Sequence, residues 1–345
     1  MMGDNDMDTQ TCLQTLCAAC GVGGSTDIRD TAAKLLKPYV DELRIDPLGN
    51  VIGIRFGTDK NAPAVMLEAH MDEIGMVVTA IEDGFIRMAA CGGVDARVLS
   101  TADVVVYGDQ PYSGVVCSTP PHLSDAKERD KCDDITKLCV DVGMTDEQAK
   151  AHIAVGSRIA FRPHFDRIGA YAVSAKALDD RAGVAALLLC AEQLQDRPCE
   201  NTVVYIFTVQ EELGCRGAAV AAYDLPPIAA GIAVDVSFGY TPDADRHECG
   251  EIGKGPMIGM SPILDLTVTD TLKRLANREN IPHQLEVMGE STGTNADRLT
   301  LTKNGIPCGL VSVPLRYMHT PQELVDLRDV EQTAALLAAF VQEGR

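Results

Sequence analysis

The chain has 345 residues, of which 46% are hydrophobic and 23% are charged, and these values are ordinary for one large globular domain or two medium ones. The formal net charge of −20 argues against nucleic acid as a partner, because a phosphate-binding face would have to overcome the protein's own field. The longest apolar stretch, 182–191, is too short to cross a bilayer, so we expect no membrane partner.

The cysteines and the first residues indicate a compartment. Twelve cysteines are scattered along the chain, which is typical of reduced, mostly buried thiols and not of a disulfide framework. Residues 1–10 include acidic side chains but no Lys or Arg, so they do not resemble a secretory signal. We therefore expect a cytoplasmic protein.

Two helices are predicted near the start of the chain, over 7–19 and 26–40, from the spacing of their apolar residues. The first contains Cys17, and Cys20 follows to complete a C-x-x-C pair. No second pair lies at zinc-finger spacing, so we interpret these cysteines as small hydrophobic residues of a helical core face.

The region 74–165 differs from the rest of the chain in its predicted secondary structure. Short β-type runs such as 76–81 and 104–107 are separated by loops rich in Gly, Pro and charge, notably 119–134. No strong long helix is indicated there, and the sequence offers no obvious chemistry of its own. We predict a smaller, β-rich domain inserted at 74–165.

The flanking segments, 1–73 and 166–345, predict one discontinuous catalytic domain of the α/β class, with a mixed sheet flanked by helices. Its predicted strands are 64–69, 202–207, 231–234 and 308–313, and its further predicted helices are 181–195, 271–280 and 328–341.

Candidate metal ligands stand next to these elements. They are His70 and Asp72 after the strand 64–69, Asp179 and Asp180 before the helix 181–195, Glu211 and Glu212 after the strand 202–207, Asp235 after the strand 231–234, and His319 in the loop 314–321. In open α/β sheets, sites form outside the carboxyl ends of the strands. Two His and several carboxylates are what a zinc-like ion accepts, so their joint occurrence indicates a metal site.

Each candidate also has an ordinary structural interpretation. Adjacent Glu residues at a strand end can form a solvated turn, and if the strand pleat continued they would face opposite ways. One of them could then hold a metal while the other works as a base. Asp179 precedes a helix, where Asp is a good N-cap. The two His could be core or surface residues.

Five short motifs in order resemble the glutamyl aminopeptidase family of di-metal metallopeptidases, peptidase family M42. They are His-Met-Asp-Glu-Ile-Gly at 70–75, Leu-Asp-Asp-Arg-Ala-Gly at 178–183, Gln-Glu-Glu-Leu-Gly-Cys-Arg-Gly-Ala at 210–218, Gly-Lys-Gly-Pro at 253–256 and Arg-Tyr-Met-His-Thr-Pro at 316–321. The family includes tetrahedral aminopeptidases and proteins labelled endoglucanase. The motifs span most of the chain, which makes the resemblance specific.

The resemblance implies two adjacent divalent ions, zinc or cobalt, with Asp179 bridging them. Members of the family carry the bridge on the first Asp of the pair, followed by a cis peptide bond. His70 and Asp235 would complete one metal site, and Glu212 and His319 the other. Glu211 would be the general base, and Asp72 would orient His70.

One motif departs from the family. Where many relatives carry Gly-Thr-Asp-Ala, this chain has Asn295 between Thr294 and Ala296. The Asn either changes the substrate pocket or a position close to the ligands, or it caps a helix. The insert resembles the family's dimerisation domain, which implies self-association as a dimer or a tetrahedral dodecamer.

The expected function is a cytoplasmic aminopeptidase that acts on short peptides with a free N-terminus. A related metal-dependent deacylase or amidohydrolase would use the same ligands. An endoglucanase could use paired carboxylates, but the chain has no Trp and only 4% aromatic residues to stack on sugars. A non-catalytic scaffold is a further alternative. The preferred N-terminal residue and the choice between zinc and cobalt stay open.

Overall fold

The structure of the protein is a computed structural model, and it describes residues 7–120, 122–123, 133–242 and 244–344. The strands are β1 (Glu42–Ile45), β2 (Val51–Arg55), β3 (Ala64–His70), β4 (Gly75–Glu82), β5 (Phe85–Cys91), β6 (Asp103–Tyr107), β7 (Pro111–Cys117), β8 (Cys139–Asp141), β9 (Arg158–Phe161), β10 (Phe165–Ile168), β11 (Ala172–Ala175), β12 (Val203–Thr208), β13 (Ile228–Phe238), β14 (Met257–Met260), β15 (Gln284–Val287), β16 (Cys308–Leu315) and β17 (Glu323–Asp326). The helices are α1 (Thr9–Ala18), α2 (Thr26–Leu36), α3 (Asp146–His152), α4 (Leu178–Leu194), α5 (Arg216–Tyr223), α6 (Leu266–Arg278), α7 (Ala296–Leu299) and α8 (Leu327–Glu343).

The main sheet has eight strands in the order β1-β2-β12-β3-β13-β16-β14-β15. Its centre is parallel, since β12 and β13 both run parallel to β3, and β16 runs parallel to β13. Antiparallel pairs join β2 to β12 and β14 to β16. Every residue of β3, β12 and β16 is buried, as expected for central strands covered on both faces. The predicted α/β class with a mixed sheet is therefore confirmed.

Helices cover both faces of this sheet, and alternate strand residues contact them. Along β3, Val65 and Leu67 face the larger core, which is built with α1, α2, α4, α6 and α8. Met66 faces the smaller core on the other side, built with α5 and α7. Burial on both faces orders the sheet, so its carboxyl edge is a rigid support for a site. No helix in the described part of the chain is long and apolar enough to span a membrane.

A second body is a closed barrel in the order β4-β5-β8-β7-β6-β9, whose strands lie between Gly75 and Phe161. Its interior is filled by side chains such as Met76, Ile86 and Val104. The helix α3 has seven residues and begins with a capping box at Thr145. The predicted limits of the insert, 74–165, stay a prediction, and part of the loop 119–134 lies outside the described residues.

Several predicted element ends were wrong for local reasons. The second helix ends at Leu36 and continues as a 3-10 turn over Lys37–Tyr39, where Pro38 supplies no N–H. The helix predicted over 271–280 begins at Leu266, because the Asp265 side chain accepts from the N–H of Val268 at 2.9 Å.

The C-x-x-C cysteines lie in apolar packing. Cys17 is part of the larger core, on α1, and Cys20 packs with Val22 and Ala160 just beyond that helix. Burial raises the pKa of Cys17 to about 12. Both cysteines are therefore packed as small hydrophobic residues, as predicted.

A buried ion pair lies where the chain leaves the main sheet for the barrel. Lys176 Nζ is 2.8 Å from Glu73 Oε1 and 2.7 Å from Oε2, and the two side chains are 1% and 2% exposed. Glu73 Oε1 also accepts from the N–H of Gly21 at 2.7 Å, and Arg181 Nη2 lies 3.8 Å away. The pair joins the end of β3 to the segment before α4 and to the loop after α1.

Candidate active site

The candidate ligands lie at the carboxyl edge of the main sheet. His70 is the last residue of β3, and Asp235 lies within β13, which continues to Phe238 beyond the predicted strand end. Asp179 stands at the start of α4, and His319 lies after β16 with a φ of 60°. The fold thus brings together residues that are up to 249 positions apart in sequence.

The ligand atoms form two groups that share Asp179. Its Oδ1 lies 3.0 Å from His70 Nε2, and its Oδ2 lies 3.3 Å from His319 Nε2. His70 Nε2 is 3.8 Å from Asp235 Oδ1, and His319 Nε2 is 3.3 Å from Glu212 Oε1. Within each group the ligand atoms lie no more than 4.8 Å apart. One carboxylate that faces two separate sets of candidate ligands is the arrangement that a bridged pair of ions would require.

The two Asp of the 179–180 pair have different surroundings. The peptide bond between them is cis. Asp180 Oδ1 accepts from the N–H of Gly183 at 2.8 Å, so it is Asp180 that caps the first turn of α4. Asp179 faces the two histidines, and its own N–H donates to Glu323 Oε2 at 3.0 Å.

Glu211 and Glu212 are placed by a turn and not by a continuing strand. β12 ends at Thr208, and Gln210 has a φ of 59°, so the alternation expected from the pleat does not apply. One oxygen each of Glu211 and Glu212 and a His70 ring nitrogen all lie within 4.8 Å of one another. Both carboxylates therefore face the ligand cluster.

Asp72 holds this turn. Its Oδ1 accepts from the N–H of Glu211 at 3.0 Å, and its Oδ2 accepts from the N–H of Glu212 at 3.2 Å. Its Oδ1 also lies 3.5 Å from His70 Nδ1, longer than an ordinary hydrogen bond. The resemblance implied that Asp72 orients His70, and its contact with the two backbone amides was not predicted.

Glu323 is a second residue that sequence reasoning missed. It is 2% exposed, and its two oxygens accept from the backbone N–H groups of Asp179 and His319, at 3.0 and 2.9 Å. It therefore fixes two candidate ligands through their main chains. No spacing pattern signals such a contact, because Glu323 binds backbone amides that any residue type would supply.

Asn295 does not cap a helix, so that interpretation of the departure was wrong. It precedes α7 but makes no capping hydrogen bond with its side chain. Its Nδ2 donates to Glu68 Oε1 at 2.7 Å and to Thr208 Oγ1 at 2.9 Å. Glu68 is fully buried two residues before His70, and burial raises its pKa to about 7. Asn295 thus belongs to a polar cluster beside the ligands.

The barrel covers part of the site. A Cβ at Gly93 would lie 2.6 Å from His319 Nδ1, and a Cβ at Gly92 would lie 3.3 Å from Glu212 Oε2. The loop after β5 therefore needs residues without side chains to approach these ligands. No chemistry was predicted for this region, because the contact exists only between residues that are distant in sequence.

The electrostatics of the cluster fit divalent ions. Burial raises the pKa values of Glu211, Glu212 and Asp235, because carboxylates crowd together out of water. Hydrogen bonding to Asp179 and then to Glu212 raises the pKa of His319 to about 11. Carboxylates outnumber the histidines, so bound cations would offset charge that the protein leaves uncompensated. Oxygen and imidazole donors are also the types that zinc accepts.

An α/β sheet with His and carboxylate side chains clustered at its carboxyl edge is the arrangement typical of metal-dependent hydrolases. The family comparison is more specific: residues 49–336 match the sequence model of the M42 glutamyl aminopeptidase family. The chain belongs to that family, as the motifs predicted, and is an aminopeptidase of the M42 type.

Relatives and solved structures agree with this assignment. The lysyl aminopeptidase of Pyrococcus furiosus is 35% identical, over 92% of this chain and 91% of the relative. An aminopeptidase of the archaeon Desulfurococcus kamchatkensis superposes with a TM-score of 0.90 at 34% identity, covering 97% of this chain and 95% of that one. The TET1 peptidase of Pyrococcus horikoshii, described as assembling into a tetrahedron or a large octahedral shell, has a TM-score of 0.86 at 29% identity, covering 97% and 100%.

Proposed function

We propose that this protein removes N-terminal residues from short peptides with the help of two divalent metal ions, zinc or cobalt. The observation that carries the proposal is the position of Asp179, whose two oxygens face two different histidines. His70 and Asp235 would complete one metal site, and Glu212 and His319 the other. When bound, such ions would lower the pKa of a shared water and polarise the scissile carbonyl.

Glu211 is the proposed general base. Its carboxylate faces the ligand cluster, and burial raises its pKa, which suits a group that takes a proton and then releases it. Glu211 would accept the proton of the attacking water and pass it to the leaving amine. Asp72 contributes by holding the main chain of Glu211 and Glu212 in place.

The surplus of carboxylates also suits a substrate with a free amino group. A protonated amine entering the cluster would be attracted by charges such as those of Asp235 and Glu212. Blocking the amine by acetylation removes that attraction. An aminopeptidase should therefore discriminate strongly between free and acetylated peptides, whereas a deacylase with the same ligands should not.

The test is a panel of unblocked and N-acetylated short peptides, incubated with metal-stripped protein and with protein resupplied with zinc or cobalt. We expect metal-dependent release of single N-terminal residues from unblocked peptides only. Activity confined to acetylated peptides would favour the deacylase. Release of sugars from a β-glucan and no action on peptides would favour the endoglucanase, and inactivity with metals bound would favour a scaffold.

Glu211→Gln tests the base within the same panel. The variant keeps the size and polarity of the side chain but cannot accept the proton, so turnover should be abolished while the metal content per chain stays at the wild-type level. Metal content is measured by plasma mass spectrometry after gel filtration. Near-normal turnover in this variant would exclude Glu211 as the base.

We further propose that the barrel, within the inserted segment 74–165, mediates self-association, while 1–73 and 166–345 form the catalytic domain. The assembly described for the Pyrococcus horikoshii peptidase supports this. Light scattering coupled to size exclusion should give a dimer or a dodecamer, and a monomer at all concentrations would contradict it.

The free cysteines of the described chain agree with a reducing, cytoplasmic environment.

A further inference from the structure

Cys215 contacts the proposed base directly. Its Sγ–H donates to Glu211 Oε1, with Sγ and Oε1 3.1 Å apart. Among the described residues, this thiol is the hydrogen-bond donor to the Glu211 carboxylate, whereas the Glu211 main chain is held by Asp72. The carboxylate is thus anchored through one oxygen, which leaves Oε2 free.

The backbone keeps the thiol in this position. Cys215 adopts a φ of 56° just before α5, and its N–H donates to the carbonyl oxygen of Glu211 at 2.9 Å. Residues on either side of this turn are joined by the N–H of Gly217, which donates to the carbonyl oxygen of Val209 at 3.0 Å. The side chain and the main chain of Cys215 therefore both bind Glu211, so the five-residue turn 211–215 is closed by a side-chain and a main-chain hydrogen bond.

We propose that Cys215 is a positioning residue for the reaction: its thiol holds Glu211 Oε1 so that Oε2 is directed at the attacking water. This inference rests on the proposed role of Glu211. A thiol is a weak donor, so it orients the carboxylate without competing strongly for the proton that the base must accept. Burial and the adjacent carboxylate raise the pKa of Cys215, which keeps the thiol in its donating form.

Ser and Ala variants separate this role from a packing role. Cys215→Ala removes the donor, while Cys215→Ser retains one, and both variants keep a Cβ and hence the same backbone requirement at this φ. We expect kcat of the Ala variant to fall about tenfold, the size of one lost hydrogen bond, with KM and metal content unchanged. The Ser variant should recover at least half of the wild-type kcat. Cys249→Ala is the control, because Cys249 is a partly exposed cysteine that makes no hydrogen bond with the candidate site among the described residues.

Three outcomes would overturn the inference: wild-type kcat in Cys215→Ala, a Ser variant as slow as the Ala variant, or a loss of bound metal that accounts for the lower rate. Failure of the proposed function is recognised separately, because it requires that the wild type is inactive on free peptides or that Glu211→Gln retains activity. If Glu211→Gln is inactive and Cys215→Ala is normal, only the role of Cys215 is refuted.

A second readout needs neither metal nor turnover. In metal-stripped protein, the rate at which iodoacetamide alkylates Cys215 is followed by peptide mass spectrometry, with Cys249 as the internal reference. Glu211→Ala removes the acceptor, so alkylation of Cys215 should become several times faster relative to Cys249. An unchanged ratio would show that the thiol is not held by Glu211, and this would contradict the proposal independently of any assay of activity.

Discussion

The buried pair between Lys176 and Glu73 allows a quantitative prediction. Lys176→Met keeps most of the side-chain volume but leaves the Glu73 carboxylate without its main partner, at a site where the two side chains are 1% and 2% exposed. Removing one member of a buried pair typically costs about 3–5 kcal/mol, because a charge stays buried without compensation. Arg181 Nη2, 3.8 Å from Glu73 Oε1, offsets part of this. We therefore expect the free energy of unfolding to fall by about 3 kcal/mol.

The assay is urea unfolding of the metal-stripped protein, followed by far-ultraviolet circular dichroism because the chain has no Trp. Lys150→Met is the matched control, because it removes a Lys whose Nζ lies 2.6 Å from Asp146 Oδ2 on the protein surface. An exposed ion pair contributes little to stability, so the unfolding midpoint of this variant should stay close to that of the wild type. The double variant Glu73→Gln, Lys176→Met should recover part of the loss, since no carboxylate is left buried without its partner.

The reasoning would be refuted if Lys176→Met shifted the midpoint no more than Lys150→Met does. It would also be refuted if the double variant were no more stable than Lys176→Met alone. Either result would mean that the interior around Glu73 admits water or relaxes enough to solvate a lone carboxylate.

Three further predictions concern the site, its cover and the pH dependence of stability. Gly93→Ala places a Cβ 2.6 Å from His319 Nδ1, so metal affinity measured by titration calorimetry should fall about 10-fold or more. The control Gly289→Ala has open space around its Cβ and should bind metal as the wild type does. Equal metal affinities of the two variants would contradict the proposed cover. Asp72→Asn turns one acceptor facing the Glu211 and Glu212 amides into a donor, and we expect kcat to fall about 10- to 100-fold; an unchanged kcat would remove Asp72 from the positioning machinery. Burial raises the pKa of Asp329 from 3.8 to about 6, so the folded state binds the proton of this carboxyl more tightly than the unfolded chain does. The contribution of Asp329 to the free energy of unfolding therefore falls as pH rises between those two values. Asp329→Asn should flatten the slope of unfolding free energy across that pH window, and parallel curves for the two proteins would argue against it.

The sequence predicted the α/β class and the positions of most strands because hydrophobic runs and their boundaries are local properties. The run ending at His70 and the run before Glu211 both form central strands of the main sheet. The candidate ligands could be proposed because parallel strands bring their carboxyl ends to one edge. Their roles remain a proposal.

What the sequence could not predict depends on contacts between distant residues and on backbone direction. Asp72 and Glu323 act through amides that every residue carries, so their partners have no signature in the chain. The contact between Asn295 and Glu68 joins residues 227 positions apart. The backbone turns at Gln210, which has a φ of 59°, so the side chains of Glu211 and Glu212 do not alternate as they would in a continuing strand.

The approach of Gly93 to His319 limits how the barrel and the main sheet of this protein can be exchanged or redesigned. A foreign barrel spliced in after β3 would need both compatible ends and a backbone segment that reaches the histidine without a side chain. The barrel and the sheet are therefore not interchangeable modules, although each has its own core. A chimaera with a side chain at this single position would fold and still misplace His319, a candidate ligand.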